Sequence, residues 1–263
     1  MVDRKSLYEG EIRHTLPTQA SQALVQQVLH LLRTTLGAED VRSAQAHISA
    51  ADFFAHMGRV RKTLFEEPVY RGAVRSVLSE GGFEASRIAF DPPKLRIISH
   101  DGHRDPRSAP VYYPHRDTWY GHPQSLLVWW IPLHDLAADE TFVFYPNCFR
   151  QAVPNDSETF DYQTWTRDLR IGWQDREAGR TVRYPGVVGE VDPGPPLGFS
   201  CRQGDNLVFS GAHFHCTLPQ TSGRTRFSID FRFVCLDDEV GGLGAPNVDN
   251  RSRGSALPDY VHP

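Results

Sequence analysis

One stretch, Arg226-Phe-Ser-Ile-Asp-Phe-Arg-Phe-Val234, constrains the fold more than any other. Its residues alternate strictly. Phe227, Ile229, Phe231 and Phe233 fall on one side, and Arg226, Ser228, Asp230 and Arg232 on the other. A period of two sends successive side chains to opposite faces of a strand, whereas a helix repeats every 3.6 residues. The chain therefore contains a sheet with one apolar face, and that face needs a covering layer.

Further strands read off residues 86 onward. Arg87–Phe90 and Lys94–Ser99 are short and bounded by turns. Leu126–Ile131 is continuously apolar and suits a strand buried on both faces. Thr141–Tyr145, Asn206–Phe209 and a segment near His213–Leu218 complete the set. The covering layer comes earlier. Residues 18–36 place Leu24, Val25, Val28, Leu29, Leu31 and Leu32 at helical spacing, with Gly37 as the stop. A second helical zone, Ser49 to Leu78, starts with Ser49 as N-cap, breaks near Pro68 and ends at Gly81-Gly82. Val41–Ile48 between them reads as a short strand. Residues 147–203 are polar and rich in Pro and Gly, with a helical piece near Asp161–Leu169; an insertion this long suits a lid or binding loop. The stretch after Asp237 reads as coil. The sum is a mainly β, α+β chain: a jelly-roll core under an N-terminal helical cover. We expect a single domain over 1–263, with the cover at 1–85, the core at 86–240 and a tail at 241–263.

Composition narrows the function. Hydrophobic residues make up 40% and charged residues 23% of the 263, an ordinary soluble globular balance. A formal net charge of -4 offers no basic field for nucleic acid or anionic membrane. No apolar run approaches the roughly 18 residues that span a bilayer, and the first residues lack the apolar core of a secretory signal. The four cysteines, Cys148, Cys201, Cys216 and Cys235, form no Cys-x-x-Cys pair. They read as reduced thiols, and the expected location is cytoplasmic.

The chemistry-bearing stretch is Val111-Tyr-Tyr-Pro-His115-Arg116-Asp117-Thr-Trp-Tyr120. If it is extended, His115 and Asp117 share a face and present an imidazole beside a carboxylate. Such a pair supplies two ligands of a facial 2-His-1-carboxylate iron site, which leaves coordination positions open. A third ligand has two candidates, His213 and His215, in Phe209-Ser-Gly-Ala-His213-Phe-His215. The small Gly211-Ala212 pair before them allows close approach. Arg226 lies eleven residues beyond His215, past a turn, and faces the same cavity. A guanidinium there suits bidentate capture of a carboxylate.

His115-x-Asp117, a His about a hundred residues on, and Arg226 eleven further resemble the Fe(II)/2-oxoglutarate-dependent oxygenases over roughly residues 86–240. The step from His215 to Arg226 is most similar to the phytanoyl-CoA hydroxylase-like branch and favours His215 over His213. The resemblance implies a double-stranded β-helix with iron on His115, Asp117 and His215. It also implies Arg226 on the distal carboxylate of 2-oxoglutarate, helped by Thr217, with further contacts from Lys94, Arg96, Gln124 or Trp130. The implied cofactors are Fe(II), 2-oxoglutarate and O2. The implied reaction is hydroxylation, or another C–H oxidation, of a small molecule with release of succinate and CO2. Related halogenases carry Gly or Ala in place of the carboxylate ligand, so Asp117 points away from halogenation.

Candidate substrate contacts are Tyr113, Arg116, Trp119, Tyr120 and His122. Three other readings remain open, one of them a non-catalytic jelly-roll binding module in which His115, Asp117 and His215 are incidental polar residues. Arg226-x5-Arg232 resembles the paired arginines of nucleic-acid alkylation-repair oxygenases, although the His-to-Arg step is short for them and no basic stripe with interleaved aromatics accompanies it. A cupin-type metalloenzyme without 2-oxoglutarate would use the same ligands but leaves Arg226 unexplained.

Overall fold

The computed structural model describes residues 3–169 and 184–263. Its helices form where caps and apolar stripes coincide. After α1 (Arg4–Tyr8), α2 (Gln19–Leu36) begins at Thr18, whose hydroxyl accepts the Ser21 N–H while Ser21 Oγ accepts the Thr18 N–H. It stops at Gly37, whose φ of 63° only glycine adopts without strain. The second helical zone is two helices, as Pro68 requires. α3 (Ala50–Glu66) is capped by Ser49, and α4 (Pro68–Glu80) takes Pro68 as its first residue, where a missing N–H costs nothing.

These helices lie on a large antiparallel sheet. It contains β1 (Arg13–Thr15), β2 (Ile88–Phe90), β3 (Lys94–Ile98), β4 (Leu127–Pro132), β6 (Asn206–Ser210) and β8 (Arg226–Cys235). The order is β1-β6-β4-β8-β2, with β3 also paired to β8. A smaller sheet pairs β5 (Phe142–Phe144) with β7 (His215–Thr217). Single bridges extend it through His115 to β7 and through Leu197 to β5.

The alternation of β8 maps onto these layers. Phe227, Ile229, Phe231 and Phe233 pack with Leu24, Val28, Leu32, Leu64 and Val77 beneath the helices. On the other side, Val128, Trp130, Leu207 and Phe209 meet Phe142 and Phe144 of the small sheet. All four cysteines are free thiols and buried. No described helix is long and apolar enough to cross a membrane.

Three expectations are corrected. Val41–Ile48 is turn and 3-10 helix (Ala44–Ala46), not strand. Val41 and Ala44, three apart, are the buried residues, and the Arg42 guanidinium reaches the Thr225 carbonyl at 3.1 Å. The stretch around His115 is extended only at its centre, because 3-10 turns run from Pro106 to Val111 and from Asp117 to Tyr120. The segment after Asp237 begins with a short helix, α6 (Leu236–Val240), holds a 3-10 turn at Leu257–Asp259 and docks at its end: Val261 bridges Phe90, and Tyr260 is only 6% exposed. β1 was not foreseen, since Arg13-His-Thr15 carries no apolar pattern. Within the expected insertion, α5 (Tyr162–Leu169) forms as predicted; residues 170–183 lie outside the described part.

A candidate iron and carboxylate site

His115 and His215 face one another across the small sheet. Each donates its N–H to the other's carbonyl at 3.0 Å, which sets both side chains on one face. Their ring centroids are 4.5 Å apart. The Nδ1 of His115 lies 2.8 Å from the Tyr113 carbonyl and that of His215 lies 2.9 Å from the His213 carbonyl. A carbonyl only accepts, so both Nδ1 atoms carry the proton and both Nε2 atoms keep a lone pair. Burial, then the neighbouring imidazole, pushes His115 down to about 3. Burial lowers His215 as well. Both rings are neutral at pH 7, the form that ligates a metal.

Arg116 takes the opposite direction between the two candidate ligands, with extended backbone at φ −112° and ψ 141°. Asp117 then points back. Gly211 makes room for it, since a Cβ there would meet Leu126 at 2.5 Å and the Asp117 Cβ at 3.3 Å. Asp117 Oδ1 accepts from Arg232 Nη2 at 2.5 Å and Nε at 3.1 Å. Burial by itself would raise this carboxyl, but Arg232 overrides it and holds it well below the usual carboxylate range. Among the described residues, no three His, Cys, Asp or Glu side chains are gathered closely enough to grip a metal as they stand. Two imidazoles with free Nε2 atoms fit such an ion; the third candidate, Asp117, is engaged by Arg232.

The inner face of β8 is charged and enclosed. Lys94 and Arg96 join it from β3, opposite Asp230 and Ser228. Their side chains stay 41% and 40% open although the face points inward, so they border a cleft. Three of its four cations have carboxylate partners. Lys94 pairs with Asp91, Arg96 with Asp230 (Nε–Oδ2 2.8 Å), and Arg232 with Asp117. Arg226 has none. It is 2% exposed, and its Nε and Nη1 are buried without a hydrogen-bond partner. Burial, then Arg96, lowers it to about 10. A buried ion without a counter-charge costs on the order of several kcal/mol, which an incoming carboxylate relieves.

The other candidates divide. Thr217 lies two residues after His215 in β7 and shares its face. Tyr120 is near, its ring 5.4 Å from His115 and between Phe160 and Tyr184. His122 is buried, with Nδ1 3.0 Å from the Tyr260 hydroxyl. Trp130 faces inward, but its indole N–H is spent on Ser228 Oγ at 2.9 Å. Gln124 sits under the C-terminal stretch: Ala245 donates to its carbonyl at 2.9 Å, and nothing links it to Arg226. Arg116 is no substrate contact. It is 1% exposed and donates to Asp249 and to the carbonyls of Ala212, Cys148 and Gln151. Trp119 is likewise structural, 0% exposed with its N–H on Asp249. Tyr113 is half-exposed and contributes its carbonyl to His115. His213 packs against Phe144, Phe149 and Phe209 and forms no bridge to His115. The sequence reading missed Asp91 and Tyr260, which lie beside Arg232, and the proximity of Tyr112 to Arg226. Only Asp230 carried a signal, through its place on the polar face of β8.

No family model and no curated protein matches the chain. Several solved structures show a distant similarity to it. A non-heme monooxygenase, ThoJ, matches with a TM-score of 0.49 and 13% identity over 89% of this chain and 77% of its own. The epimerase SnoN, in complex with Fe3+, alpha ketoglutarate and nogalamycin RO, matches at 0.47 and 15% over 94% and 96%. EvdO2 from Micromonospora carbonacea var. aurantiaca, complexed with 2-oxoglutarate, matches at 0.41 and 16% over 66% and 62%. At such identities and TM-scores the function rests on this chain's own residues.

Proposed function

We propose that the chain is an Fe(II)- and 2-oxoglutarate-dependent oxygenase acting on a small molecule, built on a double-stranded β-helix of the phytanoyl-CoA hydroxylase-like branch. The observation that carries this reading is Arg226: an enclosed guanidinium with two unpartnered nitrogens, on the sheet face that also carries Arg232, the partner of Asp117. Arg96 lies within electrostatic reach of both His215 and Arg226 and links the two halves of the site. A metalloenzyme that used no carboxylate cosubstrate would leave that charge unanswered.

In this reading His115 and His215 hold iron through Nε2, and Asp117 is the third ligand. Arg226 clamps the distal carboxylate of 2-oxoglutarate, with the Thr217 hydroxyl on the same side as His215. Iron, cosubstrate and O2 together supply the oxidising power that breaks a C–H bond, with succinate and CO2 released. Arg96, fixed to Asp230, keeps a second cation near Arg226 and favours a dianionic cosubstrate. Tyr120 borders the substrate side beside His115, and hydroxylation is the outcome we assign.

Anaerobic calorimetry tests this. Wild-type protein is expected to bind Fe(II), and then 2-oxoglutarate only with iron present. Arg226→Met is expected to keep the iron and lose the cosubstrate. Iron binding with 2-oxoglutarate affinity indifferent to Arg226 would turn the assignment to a cupin-type metalloenzyme, and no metal binding at all would end it.

A further inference from the structure

Resting on that reading, we propose that Arg232 is the positioning residue of the iron site: it caps Oδ1 of Asp117 so that the carboxylate offers the metal a single oxygen.

Three observations carry it. First, two nitrogens of one guanidinium, Nη2 at 2.5 Å and Nε at 3.1 Å, converge on the same oxygen, Oδ1. Arg–carboxylate pairs are frequently fork-to-fork, each nitrogen on its own oxygen. Here both donors occupy Oδ1, and no described side chain donates to Oδ2. Second, Arg232 is itself fixed from behind. Its backbone N–H donates to Asp91 Oδ1 at 2.6 Å, its Nη1 lies 3.6 Å from Asp91 Oδ2, and its carbonyl accepts the Asp91 N–H at 2.9 Å. Lys94 holds Asp91 in turn. Third, the guanidinium is embedded in the middle of the large sheet, 9% exposed, on a strand paired on both sides. A long side chain held in this way cannot swing aside at small cost.

The consequence concerns the number of open positions. A carboxylate that binds through both oxygens takes two places on a metal, whereas one with a capped oxygen takes one. With two imidazoles and one oxygen the protein uses three places, which leaves the rest for a chelating keto acid and O2. Outer partners of ligating carboxylates set metal affinity by about 10- to 100-fold.

The test uses full-length protein and Co(II), read by calorimetry and by the visible bands of the bound ion. Expected for Arg232→Met is a Co(II) Kd weaker by about 10- to 100-fold, because Asp117 is no longer held in a fixed orientation, and changed band intensities, because the loosened carboxylate can bind through either or both oxygens. With Co(II) saturating, 2-oxoglutarate affinity is expected to stay within about threefold, since Arg226 is untouched, and Arg232→Lys is expected to recover part of the metal affinity. A Co(II) Kd and spectrum unchanged in Arg232→Met overturn the proposal. So does a weakening matched by an equal loss of 2-oxoglutarate affinity, which marks a general structural role. Should Arg232→Met not fold, Asp91→Asn replaces it. That variant removes the charge behind Arg232, and an unchanged Co(II) Kd in it overturns the proposal equally. Wild-type protein that binds no Co(II) or Fe(II) sinks the oxygenase reading itself, a result distinct from either failure of Arg232.

Discussion

The two faces of β8 are equally enclosed and chemically opposite. One face, Phe227, Ile229, Phe231 and Phe233, is 0% exposed and packs in a cluster of apolar residues beneath the helices. The other, Arg226, Ser228, Asp230 and Arg232, is at most 9% exposed and yet almost wholly polar. The first face stabilises the fold by removing apolar area from water. The second opposes folding through desolvation and is held by matched ion pairs, with one cation left over. A single strand thus separates what makes the protein stable from the proposed site, and substitutions on its two sides are expected to fail in different assays.

Phe231→Ala bears on the apolar side. It leaves a cavity under the helices and is expected to cost about 3–5 kcal/mol, read as a lower denaturant midpoint. Fe(II) and 2-oxoglutarate affinities of the folded fraction should not move. Arg226→Met does the reverse. It is expected to weaken 2-oxoglutarate binding by about 2–5 kcal/mol, roughly 30- to several-thousandfold. Its melting temperature should hold or rise, because an uncompensated buried charge has gone; a large fall in melting temperature would erase the contrast between the faces. pH sharpens the contrast next. His134 lies edge-on to Phe227, on the apolar side, and burial, then Arg42, lowers it to about 3 from 6.5. Between those values the unfolded chain takes up a proton that the folded chain refuses, so stability is complete above pH 6.5 and falls as pH drops toward 3. His134→Leu is expected to flatten part of that fall in a series of melts from pH 7 to 4, with metal binding unaltered. The smallest effect belongs far from either face: Thr18→Ala removes the α2 cap and is expected to cost about 1 kcal/mol, with no change in ligand binding.

What the sequence made legible follows from local periodicity. β8, β4 and α2 announce themselves because burial on one face writes a period into the residues, and Pro68 and Gly37 mark ends because their backbones leave little choice. That His115, His215 and Arg226 share a cavity was an expectation of the resemblance and of the polar face of β8; the structure sets His115 beside His215 and leaves Arg226 without a carboxylate partner among the described residues. The rest was hidden because it depends on contacts distant in sequence. Arg116 and Trp119 read like binding residues, and only Asp249, 133 and 130 positions away, shows them to be anchors. Asp91 sits in a Pro-flanked turn whose composition says nothing of Arg232, and Tyr260 sits in a stretch whose Gly and Pro content reads as coil. Val41–Ile48 misled because Ala44, Ala46 and Ile48 alternate as in a strand, whereas the burial of Val41 and Ala44, three apart, follows a turn.

The Arg116–Asp249 pair has a bearing on time. Arg116 stands between two candidate ligands and is wholly enclosed, but its counter-charge is 133 residues further along. At a synthesis rate of roughly 5–20 residues per second, the carboxylate arrives on the order of ten seconds after the arginine. Until then the segment carrying His115 and Asp117 has an ion it cannot bury. The nascent chain is thereby kept from closing the segment of His115 and Asp117 until β8 itself has been made, so this part of the fold is among the last to set.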